Sequence, residues 1–139
     1  IHDPQQSQFL GEGYGNTCIT DICGFMTYRY LYLCCQNVQK LHKHESISDY
    51  SQLVKYDENN CYIDFFIRQE SLEENLIEAI EKIRRLTEQE KVLIYSKKKT
   101  NTSSRALSIR DYYDEQSIEL IRSREQLLID KFNYLPPKL

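Results

Sequence analysis

From Cys61 to Arg68 apolar and polar positions alternate, with Ile63, Phe65 and Ile67 set against Tyr62, Asp64 and Arg68, and Phe66 makes the second face partly apolar. A period of two in β-branched and aromatic residues predicts a strand. At Ser71 the period changes. Ser71 and Glu74 stand in the S-x-x-E capping-box spacing, in which the hydroxyl accepts from the N–H three residues on and the carboxylate reaches back to the cap. Leu72, Leu76, Ile80 and Ile83 then recur at steps of four, four and three, widened by Ile77 and Ala79, so an amphipathic helix is predicted to start there. Glu78–Lys82 and Glu81–Arg85 are i,i+4 pairs for its wet side, each worth about 0.3 kcal/mol.

The same periodicity predicts a helix over Thr27–Val38, with Tyr28, Leu31, Tyr32, Cys35 and Val38 on one side, Thr27 as cap and Arg29 off the stripe. A short helix fits 46–53, and the polar run 55–60 reads as a turn into the strand. Residues 86–91 either continue the preceding helix or cap a new one, while 92–95 is too short to classify by period. Residues 96–105 contain no apolar side chain and are expected to be exposed. Ser108 and Asp111 suit one capped turn, and Asp114 suits the N-cap of a last helix with Ile118, Ile121, Glu125, Leu128 and Phe132 in a row. Asn133 stands where a left-handed residue ends helices, and Pro136–Pro137 prevents continuation. Residues 1–17 read as loop. Their Gly11-Glu-Gly-Tyr-Gly15 run has neither a preceding strand nor a following Lys-Ser or Lys-Thr, so a plain turn is favoured over a phosphate loop.

With 139 residues, 40% apolar and 28% charged, the chain suits one domain, divided into a loop-rich entry (1–26), a helix and polar connector (27–60) and a strand–helix–loop–helix unit (61–139). A net charge of −3 and a pI near 5.7 offer no general attraction to nucleic acid, so an anion site has to come from a local cluster such as Lys97–Lys99. No stretch is long and apolar enough to span a membrane, and the first residues lack the pattern of a signal peptide, so a soluble, cytoplasmic protein without membrane contact is expected. The first residue is not Met, which suggests a processed chain or the later part of a longer one. Five cysteines, two of them adjacent at Cys34 and Cys35, argue against a disulfide framework and for a reducing compartment.

Cys18 and Cys23, spaced C-x4-C, with His42 and His44 are the natural metal candidates. The two pairs are far apart in sequence, and ordinary thiols and solvated imidazoles are the expected outcome, with no metal; nothing places a thiol beside either ring for catalysis. Lys97–Arg105 combines cations, hydroxyls and Asn101, the chemistry a sulfate or phosphate group needs, although a lysine run is more often a solvated loop. Tyr112 and Tyr113 suit a sugar or nucleotide ring, but packing against the last helix is the commoner use. Arg68 and Glu70, at the end of the predicted strand, fit either a ligand edge or the normal transition to solvent.

In order, Ile63-Asp-Phe-Phe-Ile-Arg-Gln-Glu-Ser-Leu-Glu-Glu-Asn75, Lys99-Thr-Asn-Thr-Ser103, Asp111-Tyr-Tyr-Asp114 and Lys131-Phe-Asn-Tyr134 resemble the C-terminal part of the sulfotransferase superfamily. The similar branch contains the carbohydrate and heparan-type enzymes with their bacterial and viral relatives. The match covers roughly the last eighty residues. It implies an α/β, P-loop-like fold rich in helices, and transfer of a sulfuryl group from 3′-phosphoadenosine 5′-phosphosulfate to a hydroxyl acceptor, often on a sugar. It further implies that Lys98, Lys99, Asn101, Ser103 and Arg105 contact the donor or an anionic acceptor, and that Arg68, Glu70, Tyr112 and Tyr113 bind or orient. The family's donor loop, with its sulfate-holding Lys, has no counterpart here, and its general base lies before the matched region, so an upstream segment or a partner chain is implied and the catalytic residue is unassigned. The Gly of the family's F-G-Y is Asn133 in this chain. The alternative is a non-catalytic binding or structural module.

Overall fold

The computed structural model describes residues 13–43, 46–97 and 108–135. Among them the secondary structure is helical, and the expected α/β architecture is overturned: no strand or sheet is present, and extended backbone pairs only where Cys35 lies opposite Cys61 in an isolated antiparallel bridge. Residues 62–67 are irregular. An alternating segment becomes a strand only if a neighbour completes its ladder. Here the Arg68 N–H is taken by the Asn75 side-chain oxygen at 2.9 Å, and Phe65 lies under the Lys82 ammonium, 4.0 Å from ring centroid to Nζ.

The chain falls into two compact units, Ile1–Tyr62 with Leu107–Leu139, and Ile63–Ala106. The first contains α1 (Phe25–Cys34), α2 (Tyr50–Asn60), and, beyond the second unit in sequence, α5 (Ile109–Tyr112), α6 (Glu115–Arg124) and α7 (Gln126–Phe132); the second contains α3 (Leu72–Glu81) and α4 (Glu88–Ser96).

In the first unit Ile19, Tyr28, Leu31, Leu41, Ile47 and Leu53 are fully buried, and Leu127 of α7 joins them. Tyr28 and Leu31 occupy the expected inner face of α1, whereas Tyr32 is exposed and the helix stops at Cys34, short of the expected Val38, leaving the buried Cys35 in extended backbone. The helix begins earlier than its pattern suggested. Gly24 is the N-cap, and Thr27 lies inside the first turn, where the Glu125 carboxylate accepts from the Met26 N–H (3.2 Å), the Thr27 N–H (2.7 Å) and the Thr27 hydroxyl (2.7 Å). A carboxylate at a helix N-terminus satisfies orphan donors and complements the helix dipole. Gly24 is required by close approach: a Cβ there would sit 2.0 Å from Glu125 Oε1 and 3.2 Å from Arg124 Cβ. Arg124 in turn donates to the Thr20 and Asp21 carbonyls at 2.7 and 2.8 Å.

The turn expected at 55–60 is the second half of α2, which Asp49 caps by accepting the Gln52 N–H at 2.9 Å. The single last helix expected from Asp114 is divided at Glu125 into α6 and α7, at the residue that turns its carboxylate onto α1. Asp114 does cap α6, accepting the Ser117 N–H at 2.7 Å, and Asn133 ends α7 in the left-handed conformation (φ 52°, ψ 43°). Ser108 and Asp111 also form their predicted turn, the Ser108 N–H donating to Asp111 Oδ2 at 2.7 Å.

In the second unit α3 starts after Ser71, as its spacing predicts, but Ser71 makes no capping bond through its side chain. The capping box belongs instead to Thr87 and Glu90, which open α4 as a separate helix: the Thr87 N–H donates to Glu90 Oε2 at 2.8 Å and the Glu90 N–H to the Thr87 hydroxyl at 3.3 Å. Because α3 stops at Glu81, that carboxylate pairs with Lys91, at 2.9 Å, across the turn between the helices.

Candidate buried thiol and carboxylate site

Lys98, Lys99, Asn101, Ser103 and Arg105, the predicted donor-binding set, lie outside the described residues, as does His44. Arg68 is half-buried at the entry to a single 3-10 turn, Gln69–Ser71, in which Glu70 is exposed. Tyr112 and Tyr113 are 53% and 40% exposed, so their rings are available at the surface rather than packed away. The C-x4-C pair does not converge with His42: Cys23 is buried in the core, Cys18 donates to the Leu41 carbonyl at 3.1 Å, and His42 is exposed.

The residues that do converge are others. On α2 the apolar stripe of Leu53 and Tyr56 continues into Asp57, which is 4% exposed. Burying a carboxylate is costly unless its oxygens are satisfied. Here Asp57 Oδ1 accepts from the Tyr30 hydroxyl at 2.6 Å and faces Cys35 Sγ at 3.7 Å, while Oδ2 holds the Lys131 ammonium of α7 at 2.7 Å. Three helices therefore meet on one carboxylate. Lys131 also lies 5.4 Å from the Tyr30 ring centroid, and Phe132 meets the same ring edge-on at 6.0 Å.

The two thiols arrive from the isolated bridge. The Gln36 N–H donates to the Asn60 carbonyl at 2.9 Å and the Tyr62 N–H to the Cys34 carbonyl at 3.1 Å, which makes Cys35 and Cys61 a non-hydrogen-bonded antiparallel pair, the kind whose side chains stand closest. Tyr56 fixes this segment through its hydroxyl, which donates to the Gln36 carbonyl at 2.7 Å, and Asn37 adds a side-chain bond to Asn60 at 2.8 Å. The backbone of Asn37 is left-handed (φ 59°), which turns the chain away directly after the bridge. Cys35 Sγ, Cys61 Sγ and an Asp57 oxygen consequently lie within 4.8 Å of one another.

Burial, with the Asp57 charge beside it, pushes the Cys35 thiol up to about 12, and burial likewise raises Cys34. The Tyr30 hydroxyl is raised by burial and then by its bond to Asp57. All five cysteines are free thiols. Such protonated thiols are poor nucleophiles but remain soft ligands once an ion displaces their protons.

The C-x4-C spacing and the paired histidines, the usual marks of a metal site in sequence, lie elsewhere in the chain than this cluster. The available signal was Asp57 at i+4 from Leu53, a carboxylate on an apolar stripe. Among the described residues, no helix is long and apolar enough to cross a membrane. Comparison with known protein families, curated proteins and solved structures finds no match to this chain.

Proposed function

We propose that this chain is the C-terminal part of a sulfotransferase, acting with a donor-binding segment outside this sequence to move a sulfuryl group from 3′-phosphoadenosine 5′-phosphosulfate to a hydroxyl acceptor of carbohydrate type. The reading is carried by the order of four sequence blocks, Ile63–Asn75, Lys99–Ser103, Asp111–Asp114 and Lys131–Tyr134. Two local features agree with it. A helix begins directly after Arg68-Gln-Glu-Ser71, and Asn133, at the position of the family's glycine, adopts the left-handed conformation that glycine would serve.

In the transfer, the acceptor oxygen forms a bond to sulfur as the sulfur–oxygen bond to the donor's 5′-phosphate breaks, and the acceptor proton leaves to a base outside the matched region. Charge builds on the departing phosphate and on the sulfuryl oxygens. Positioning and neutralisation dominate such chemistry. Lys98, Lys99 and Arg105 supply cations, Asn101 and Ser103 supply hydrogen bonds, Arg68 and Glu70 orient, and the exposed Tyr112 and Tyr113 offer faces to a sugar.

The second reading, a non-catalytic binding or structural module, is favoured by the absence of a sheet among the described residues. Calorimetric titration with 3′-phosphoadenosine 5′-phosphate separates the two. The enzyme reading expects saturable heat that weakens at least about tenfold in Lys98→Ala/Lys99→Ala, since two charge-assisted contacts are lost. Absence of heat, in this chain and in one carrying the upstream segment, refutes it.

A further inference from the structure

We propose that Cys35, Asp57 and Cys61 form a binding site for one zinc ion that ties α1, α2 and the segment after α2 together. Their ligand atoms lie within 4.8 Å of one another, so one ion can reach all three with side-chain adjustment alone. The donor set of two sulfurs and one carboxylate oxygen suits a thiophilic, four-coordinate ion and not calcium or magnesium, which take oxygen alone. Cys35 and Asp57 are buried and Cys61 is half-buried, so the fourth position falls to water on the Cys61 side.

Charge decides in favour of a divalent ion. Two thiolates and one carboxylate carry −3, and the Lys131 ammonium on Asp57 Oδ2, 2.7 Å away, returns +1. A dication brings the cluster to neutrality. Lys131 also fixes the carboxylate with Oδ1 turned towards Cys35 Sγ, the outer-sphere role that orients metal-bound carboxylates. The step balances without an oxidant: two S–H bonds break, two Zn–S bonds form, and two protons leave to solvent. The Tyr30 hydroxyl, 3.4 Å from Cys61 Sγ and 2.6 Å from Asp57 Oδ1, remains as a donor to the bound ligands.

The test uses the whole reduced chain, stripped of metal and titrated with Co²⁺ and then Zn²⁺. One Co²⁺ per chain should give thiolate-to-cobalt charge-transfer absorption with strong visible bands of a tetrahedral ion, bleached by one Zn²⁺, with two protons released per zinc. Cys61→Ser should lower zinc affinity by at least about 100-fold, the upper end of what even outer-sphere partners cost. Cys18→Ser should leave it unchanged. No charge-transfer band in the folded wild-type chain at one equivalent of Co²⁺ overturns the site, and so does a band that keeps its full intensity and affinity in Cys61→Ser or disappears in Cys18→Ser. If Cys61→Ser loses its helical circular dichroism, the wild-type cobalt spectrum and the proton count decide.

Discussion

Replacing Lys131 by Met should be among the most damaging single substitutions in the first unit, and its cost should fall when Asp57 is also neutralised. Lys131 Nζ lies 2.7 Å from Asp57 Oδ2, with side-chain exposures of 27% and 5%. Removing one partner of a buried pair leaves the other charge uncompensated, at a cost of about 3–5 kcal/mol. The Tyr30 hydroxyl and the Cys35 thiol still face Oδ1, which places Lys131→Met near the lower end, about 3 kcal/mol. Asp57→Asn keeps an acceptor for Tyr30 and removes the opposing charge from a more exposed ammonium, so about 2 kcal/mol is expected. The double variant removes both charges and should cost at least about 2 kcal/mol less than the sum of the singles. Urea unfolding of the four chains, metal-free and followed by circular dichroism, reads these values from midpoints at constant slope. Additivity within about 0.5 kcal/mol would refute the claim that α2 and α7 are joined through this carboxylate.

Glu125→Ala should cost about 2 kcal/mol in the same assay by uncapping α1, because charge-assisted bonds to helix N–H groups are lost. Gly24→Ala, whose Cβ would meet Glu125 Oε1 at 2.0 Å, should cost a similar amount and add little on top of Glu125→Ala; full additivity would show that the two do not act at one contact. Asn133→Gly should leave the midpoint nearly unchanged, whereas Asn133→Ala should lower stability by about 1 kcal/mol through the left-handed backbone; equal effects would contradict the cap assignment. Hydrogen bonds from Arg84 and Thr87 hold the Glu90 carboxyl down at about 2, against an ordinary value of 4.5. A group depressed on folding stabilises above its unfolded value and loses that contribution as pH falls through its folded one, so the Glu90 contribution should fade between about pH 4.5 and pH 2 and be missing at every pH in Glu90→Gln. Helical circular dichroism of the two chains across that interval, with coincident curves, would show that Glu90 carries no such linkage.

The helices were legible wherever local chemistry settles them. Asp114, the Ser108–Asp111 pair and Asn133 act as their side-chain chemistry predicts, and Tyr28 and Leu31 of the expected stripe do face inward on α1. The strand was not, because alternation at Ile63, Phe65 and Ile67 specifies a face but cannot supply a partner strand. The break at Glu125 was hidden for a similar reason. Periodicity ran through that residue, and what interrupts the helix is a carboxylate needed ninety-eight positions away, at Thr27. Asp57 was overlooked because a carboxylate in a polar run, Lys55-Tyr-Asp-Glu, looks like solvent-facing sequence until Tyr30 and Lys131 are brought to it.

The sulfotransferase proposal is tested most directly by assigned backbone amide spectra recorded as 3′-phosphoadenosine 5′-phosphate is added to the chain. The largest shifts are expected at Lys98–Arg105, with a further response at Arg68. Unchanged spectra, both in this folded chain and in one carrying the upstream segment, or shifts confined to residues outside those two regions, would contradict it.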